Sequence, residues 1–255
     1  MHEPTSTKRA PALGIPHRAS AGRSAARFLP LLAALSLSAC AASMNISLRN
    51  DLSAGVTVRV ELPDEVASKI GQLRGDPPGA ELPLIDPALV RAGAEDNGVR
   101  VVEARPLGDR VFRGIFEVAD LADLGRRSLG AVSVSSSAKG GSLSVGIDRS
   151  NAAELFALFP GIDPYLIEAL SPPALDGSDL TMAEYREMLG ALLGTKSLPA
   201  LDAAEVDLVV ELPGTPVAAG TAGFTLSGRS AKASIKLLDL LVLETPITLK
   251  VSWGI

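Results

Sequence analysis

Apolar and polar residues alternate along Asn45-Ile-Ser-Leu-Arg49 and again along Val56-Thr-Val-Arg-Val-Glu-Leu62. The turn residues between them, Asn50-Asp51 and Ser53 to Gly55, predict a β-hairpin with one buried face. Val99 to Ala104 and Arg110 to Val118 predict a second hairpin, turned at Gly108-Asp109. A third pairs Leu129 to Val134 with Leu143 to Ile147 across the Ser- and Gly-rich turn Ser135 to Gly141. Strand patterning returns at Val206 to Leu212, closed by Pro213-Gly214, then at Phe224 to Leu226 and Ala233 to Leu237. A terminal strand carries Ile247, Leu249, Val251 and Trp253 on one face.

Helical spacing appears between these runs. Val66, Ala67, Ile70 and Leu73 follow Pro63-Asp64-Glu65, whose acids suit the positive end of a helix dipole. Arg74 to Leu84, with Pro77-Pro78-Gly79, reads as a loop. Asp86 caps a short helix that has Pro87 in its first turn and stops at Asn97-Gly98. From Ser150 to Gly194 the pieces are Ala152 to Phe159, Pro164 to Leu170 and Met182 to Leu193, the last opened by the capping box Thr181-x-x-Glu184. Strand pairs bracketing a helical segment predict one α+β domain over residues 44–255. It would have an antiparallel sheet of about six to eight strands, helices on one face and a helical insertion near 150–195.

The first 39 residues read differently. A basic stretch leads into the 12 residues Phe28 to Ala39, too short to span a bilayer of roughly 30 Å as a helix and patterned as a secretory signal. It ends in Leu37-Ser38-Ala39-Cys40, which resembles the lipobox of bacterial lipoproteins. The resemblance implies cleavage between Ala39 and Cys40, diacylglycerol on the Cys40 thiol and often a third acyl chain on the new amino group. Two or more chains anchor stably where one does so marginally. The alternative is a soluble secreted protein cut at an Ala-x-Ala-like site, with Cys40 an incidental thiol. Ala41 stands where a retained lipoprotein would carry Asp, so sorting to an outer membrane is compatible with the pattern. Only Ala41-Ala42-Ser43 separate the anchor from a strand expected near Met44, a reach of roughly 10 to 15 Å. The expected location is therefore a cell membrane or outer membrane, with the domain outside the cytoplasm and against the lipid surface.

Processing there changes the composition. Removing 39 of 255 residues leaves 216, and both histidines, His2 and His17, leave with the signal. No Ser-His-Asp triad, Cys-His pair or His-based zinc site is then available, and the one cysteine cannot form an internal disulfide. Five of the 24 basic residues but only one of the 29 acids precede Cys40, so 19 basic and 28 acidic residues give the remainder a charge of −9. Such a surface offers no phosphate-neutralising stripe for nucleic acid and argues against charge-driven docking on anionic headgroups.

Candidate chemistry is thin. Ser136-Ser-Ala-Lys139 has Ser-x-x-Lys spacing but lies in a hairpin turn, not at a helix N-terminus, and no Lys-Thr-Gly faces it. Gly194-Thr-Lys-Ser197 breaks the P-loop register and follows a helix, not a strand. Asp176-Gly-Ser-Asp179 lacks the alternating oxygen ligands of a calcium loop. No cofactor or metal is expected. Acid pairs for glycoside hydrolysis stay open, although aromatic platforms for sugar are few. Leu237-Leu-Asp-Leu-Leu-Val-Leu243 is the most apolar stretch after the signal. Leu237, Leu238, Leu240, Leu241 and Leu243 are the candidate surface for lipid or a protein partner. Read as core, the same run is a buried connection with Asp239 pointing outward.

The C-terminal pattern, Val206 to Gly214, then Gly228 to Lys236, then a closing strand to Trp253, resembles that of LppM-like bacterial lipoproteins. A strand pair soon after the lipidated cysteine adds to the resemblance, which covers the first and last thirds of the chain. The segment 150–195 has no counterpart. The resemblance implies a non-catalytic, envelope-facing α+β domain, with lipid or glycolipid binding in some members, and supplies no catalytic residues. Two functions are therefore expected in order: a membrane-anchored envelope lipoprotein that binds lipid or an envelope protein, and a carboxylate-dependent envelope hydrolase.

Overall fold

Two segments far apart in sequence, β1 (Ala41–Leu48) and β7 (Glu205–Glu211), run parallel at the middle of a seven-stranded sheet. The computed structural model describes residues 41–77, 83, 85–157 and 164–255. The signal, Ala39 and Cys40 lie outside the described residues, as does part of the loop between Arg74 and Leu84.

On the other side of β1 lie β2 (Ala54–Glu61), β4 (Val111–Val118) and β3 (Val99–Pro106), all antiparallel to their neighbours. Beyond β7 come β10 (Ser230–Lys236) and the short β9 (Thr225–Ser227). Alternation does what period two requires. Met44 pairs with Val58 and Leu208, and Ile46 with Val56 and Val210, on the inner face. Ser43 with Arg59 and Asp207 shares the outer face. The two N-terminal hairpins stand where expected. Asp51 closes the first by accepting from the Ser53 N–H at 3.0 Å, and Gly108 takes a left-handed φ of 94° in the second.

A second sheet orders β5 (Val132–Ser137), β6 (Gly140–Ile147), β11 (Ile247–Gly254) and β8 (Thr215–Ala222). The third hairpin thus reaches through the serines expected to form its turn. Ser135 and Ser142 hydroxyls meet across the pair at 2.9 Å, and Ser137 Oγ donates to the Gly140 carbonyl at 3.0 Å. Polar side chains on an exposed face do not oppose a strand whose other face, Val132 and Val134, packs inward.

The α+β class holds, with more sheet than expected. One core takes Val56, Phe112, Phe116 and Val210 from the large sheet and Leu143, Val251 and Trp253 from the small one. Val90 and Ala94 of α2 (Pro87–Asp96), and Leu121 and Leu124 of α3 (Leu121–Arg127), join it. The large sheet's apolar face is therefore covered by a second sheet together with two helices. A separate helical cluster draws on α1 (Asp64–Arg74), α7 (Met182–Leu193), α8 (Leu198–Asp202) and α9 (Leu237–Val242). Between them along the chain lie α4 (Ala152–Ala157), α5 (Pro164–Leu170) and α6 (Pro173–Asp176). Caps fell where the sequence placed them: Asp86 accepts from the Ala88 N–H at 2.8 Å, and Thr181 and Glu184 form the reciprocal capping box.

Helix α3 lies flat on β5 because Gly125 has no side chain. A Cβ there would stand 2.1 Å from the Val132 main-chain oxygen. Glycine to alanine in an exposed helix ordinarily stabilises by about 1 kcal/mol. Gly125→Ala should reverse that sign and destabilise by about 1–3 kcal/mol through forced backbone displacement, read as a lowered urea midpoint.

Candidate functional site

The register of the large sheet brings six strand termini to one end. Ala41 opposes Glu61 on one side and Glu205 on the other. Glu61 opposes Val111, Pro106 opposes Phe112, and Lys236 opposes Glu205. The Leu62 N–H donates to the Arg110 carbonyl at 3.1 Å, extending the ladder one step past β2. The expected spacer Ala41-Ala42-Ser43 is consequently strand, hydrogen-bonded on both flanks. Neither alanine favours a strand by propensity, and pairing with two neighbours overrides that preference. Cys40 is thus one residue from the paired register of the central strand.

The same end carries the connections into the helical cluster. β2 passes through Leu62-Pro63 into α1, α8 leads into β7, and β10 runs straight into α9. Val66 and Ile70 of α1 meet Tyr185, Leu189 and Leu193 of α7, Leu201 of α8, and Leu238 and Val242 of α9. Arg186 on α7 grips Asp202 on α8 with two donors, at 2.8 and 2.7 Å, which holds the Asp202 carboxyl below its ordinary range.

Beside these helices, Val60, Leu62, Pro83, Ile85, Pro106, Asp109, Arg110, Val111 and Phe112 line a shallow apolar cleft. Its open space is about 220 Å³, but the enclosed part is about 10 Å³. That is room for about one water molecule, where a small-molecule site needs several hundred Å³. Leu107, at the start of the β3–β4 turn, donates its N–H to the Val111 carbonyl at 2.6 Å and is 37% exposed. Arg110 pairs with Asp64 and, at 3.7 Å, with Asp109. Arg59 meets Glu61 at 2.8 Å, and Glu103 lies 2.8 Å from Arg105 and 3.6 Å from Arg113.

The leucine run lies in the interior. Leu237 to Val242 is helix α9, with Leu238, Val242 and Leu243 buried, Leu237, Leu240 and Leu241 half-buried, and Asp239 exposed. Leu238 belongs to the helical cluster, while Leu243 packs with Ile147, Ala152 and Ala174 in a third cluster. Leu237, Leu240 and Leu241 keep partial exposure beside Asp239, while Leu238 and Leu243 are taken up by the two clusters. Ser136 sits on edge strand β5 and reaches the Asn50 carbonyl at 3.5 Å, with Lys139 in the following turn. Thr195 to Ser197 form a 3-10 turn in which the Ser197 hydroxyl donates to the Leu193 carbonyl at 3.1 Å. Asp176 accepts from the Ser178 N–H at 2.8 Å in an ordinary Asx turn.

Arg149, unremarked in the sequence, ties this region together. Its guanidinium donates to the carbonyls of Val242 at 3.0 Å, Ser178 at 2.9 Å and Leu180 at 3.1 Å. It thereby joins the end of β6 to the C-terminus of α9 and the approach to α7. Its hydrogen-bond acceptors are main-chain oxygens, which leave no residue pattern to find, with the Asp179 carboxylate 3.8 Å away.

The displaced carboxylates all move one way. Ser53 lowers Asp51, Arg105 lowers Glu103, Arg127 and then Arg126 lower Asp123, Ser150 lowers Asp148, Thr181 lowers Glu184 and Arg186 lowers Asp202. Among the described residues no group of three His, Cys, Asp or Glu side chains could hold a metal ion. No helix among them is long and apolar enough to cross a membrane.

No family model and no curated relative matches the chain. Among solved structures it is similar to the NMR structure of the folded domain of the Mycobacterium tuberculosis LppM protein. Identity is 12% and the TM-score 0.38, over 85% of this chain and 90% of that one, a weak likeness at the level of the fold.

Two outcomes follow. Arg149→Ala should cost about 2–3 kcal/mol by stranding three carbonyls, and Arg149→Lys should recover less than half, because an ammonium cannot reproduce the fork. Urea unfolding of both variants reads this. Carboxylates with lowered folded values contribute stability that is complete above their unfolded values, 3.8 for Asp and 4.5 for Glu, and that is lost as pH falls through the lowered ones. With no histidine after residue 17, the urea midpoint should be level from about pH 5.5 to 8 and fall only on further acidification.

Proposed function

We propose that the chain is a lipid-anchored protein of a bacterial cell envelope. Its α+β domain acts without catalysis, by binding lipid or an envelope protein beside the membrane. The observation that carries this reading is the position of Ala41. A lipobox-like Leu37-Ser-Ala-Cys40 meets the middle strand of the main sheet with no spacer, so acyl chains on Cys40 hold the body at the lipid surface. The domain lies outside the cytoplasm, on a cell membrane or outer membrane. Kinship with LppM-like lipoproteins rests on the residue pattern from Val206 to Gly214 and the closing strand to Trp253.

The carboxylate-dependent hydrolase finds less support. Such an enzyme keeps one acid protonated near neutrality, by burial or by a second carboxylate. The carboxylates that are displaced here are none of them buried, and they are lowered by arginine, serine and threonine donors. A cleft with room for about one water offers no sugar subsite.

Wild-type protein should incorporate labelled palmitate and fractionate with membranes, and Cys40→Ala should lose both properties. Wild type without label, together with a Cys40→Ala variant that still sediments with membranes, would refute the anchor.

A further inference from the structure

The sheet end that carries Ala41 is not uniform, and its composition singles out one corner. Moving outward from β1, the register runs through Glu61 of β2 and Val111 of β4 to Pro106 of β3. That is three strand spacings, roughly 14 Å, from the position next to Cys40 to the β3–β4 turn. Leu107 is 37% exposed where that turn leaves β3, with Pro106 exposed beside it. Behind it lies the cleft walled by Val60, Leu62, Ile85 and Phe112.

Charge at this corner differs from that of the chain. Residues from Cys40 on carry −9 in total, which would repel an anionic leaflet. Here four arginines, Arg59, Arg105, Arg110 and Arg113, are matched by four carboxylates, Glu61, Glu103, Asp64 and Asp109. The corner is locally neutral, and paired long side chains can lay their stems on apolar surface while their heads stay wet.

We propose that the β3–β4 turn is the surface by which the domain rests on the bilayer, with Leu107 entering the interfacial region. This rests on lipidation at Cys40 and adds to it a definite orientation. With no spacer, strand β1 rises from the membrane. The β1–β2 turn at Ser53, eight strand steps from Ala41 or roughly 26 Å, points away from it.

The single cysteine makes the test clean. Acylation blocks the Cys40 thiol, the only one in the chain, so an introduced cysteine is the sole site for a thiol-reactive fluorophore. Full-length Leu107→Cys, Asp109→Cys and Ser53→Cys are expressed with labelled palmitate. The mature proteins are tagged with bimane and reconstituted in phosphatidylethanolamine–phosphatidylglycerol vesicles containing a lipid with a doxyl quencher at carbon five. Quenching should be at least about twofold stronger at position 107 than at 53, with 109 between them. Palmitate-labelled protein in which positions 107 and 109 are quenched no more than 53 overturns the orientation while leaving the anchor standing. Absence of palmitate overturns the anchor itself, and this proposal with it.

Discussion

The parallel pairing of β1 with β7 is the constraint on which the rest of the structure depends. It joins residue 41 to residue 205 and residue 47 to residue 211. Strand β2, the β3–β4 and β5–β6 hairpins and α1 to α8 are all laid down between those two strands. Parallel strands cannot be joined by a short turn, so this one contact closes a long loop and commits the intervening chain to one layout. Remove it and the large sheet separates into a four-stranded N-terminal part and a β7–β10–β9 remnant. The inner-face residues Ile46 and Val210, opposite one another in that pair, place the seam inside the shared core.

How much of this was legible depends on the range of the interaction. Elements decided by neighbours in sequence were readable: the β1–β2 and β3–β4 hairpins by alternation and turn residues, α2 by Asp86-Pro87, α7 by its capping box. Long-range pairing was not, because nothing in Asn45-Ile-Ser-Leu or Val206-Asp-Leu-Val states which strand each will accept. β8 escaped because it is a poor strand: Ala218 to Gly220 are exposed, and its register against β11 jumps between Lys250 and Ser252. α3 is short, though its Asp120 cap, accepting from Ala122 at 2.8 Å, was a signal that could have found it. The run Leu237 to Val242 packs against two clusters on different sides, with Asp239 its one exposed position, and so uniform an apolar run carries little periodicity.

The candidate site divides the same way. Leu37-Ser-Ala-Cys40 is a contiguous motif and can be read directly. The apolar cleft is not contiguous: β2, β3, β4 and the loop before α2 each bring part of it, and only the register assembles them. Arg149 shows the opposite difficulty, since its three acceptors are carbonyls that any sequence would possess.

What the fold adds at the position after Cys40 is stiffness. A flexible linker lets a tethered domain explore a span that grows as roughly 5–6 Å times the square root of its length, and orientation is then free. Here the residue after Cys40 is already fixed by neighbours on both flanks, in the fourth of seven strands. An edge strand at the same place would peel under a small pull, because its unpaired side offers no resistance and termini fray first. A central strand must break two ladders at once. Lipidation at Cys40, as proposed, would therefore act on the whole sheet and convert attachment into orientation. Of that sheet end, the neutral corner beside Leu107 would then lose least on meeting a lipid surface.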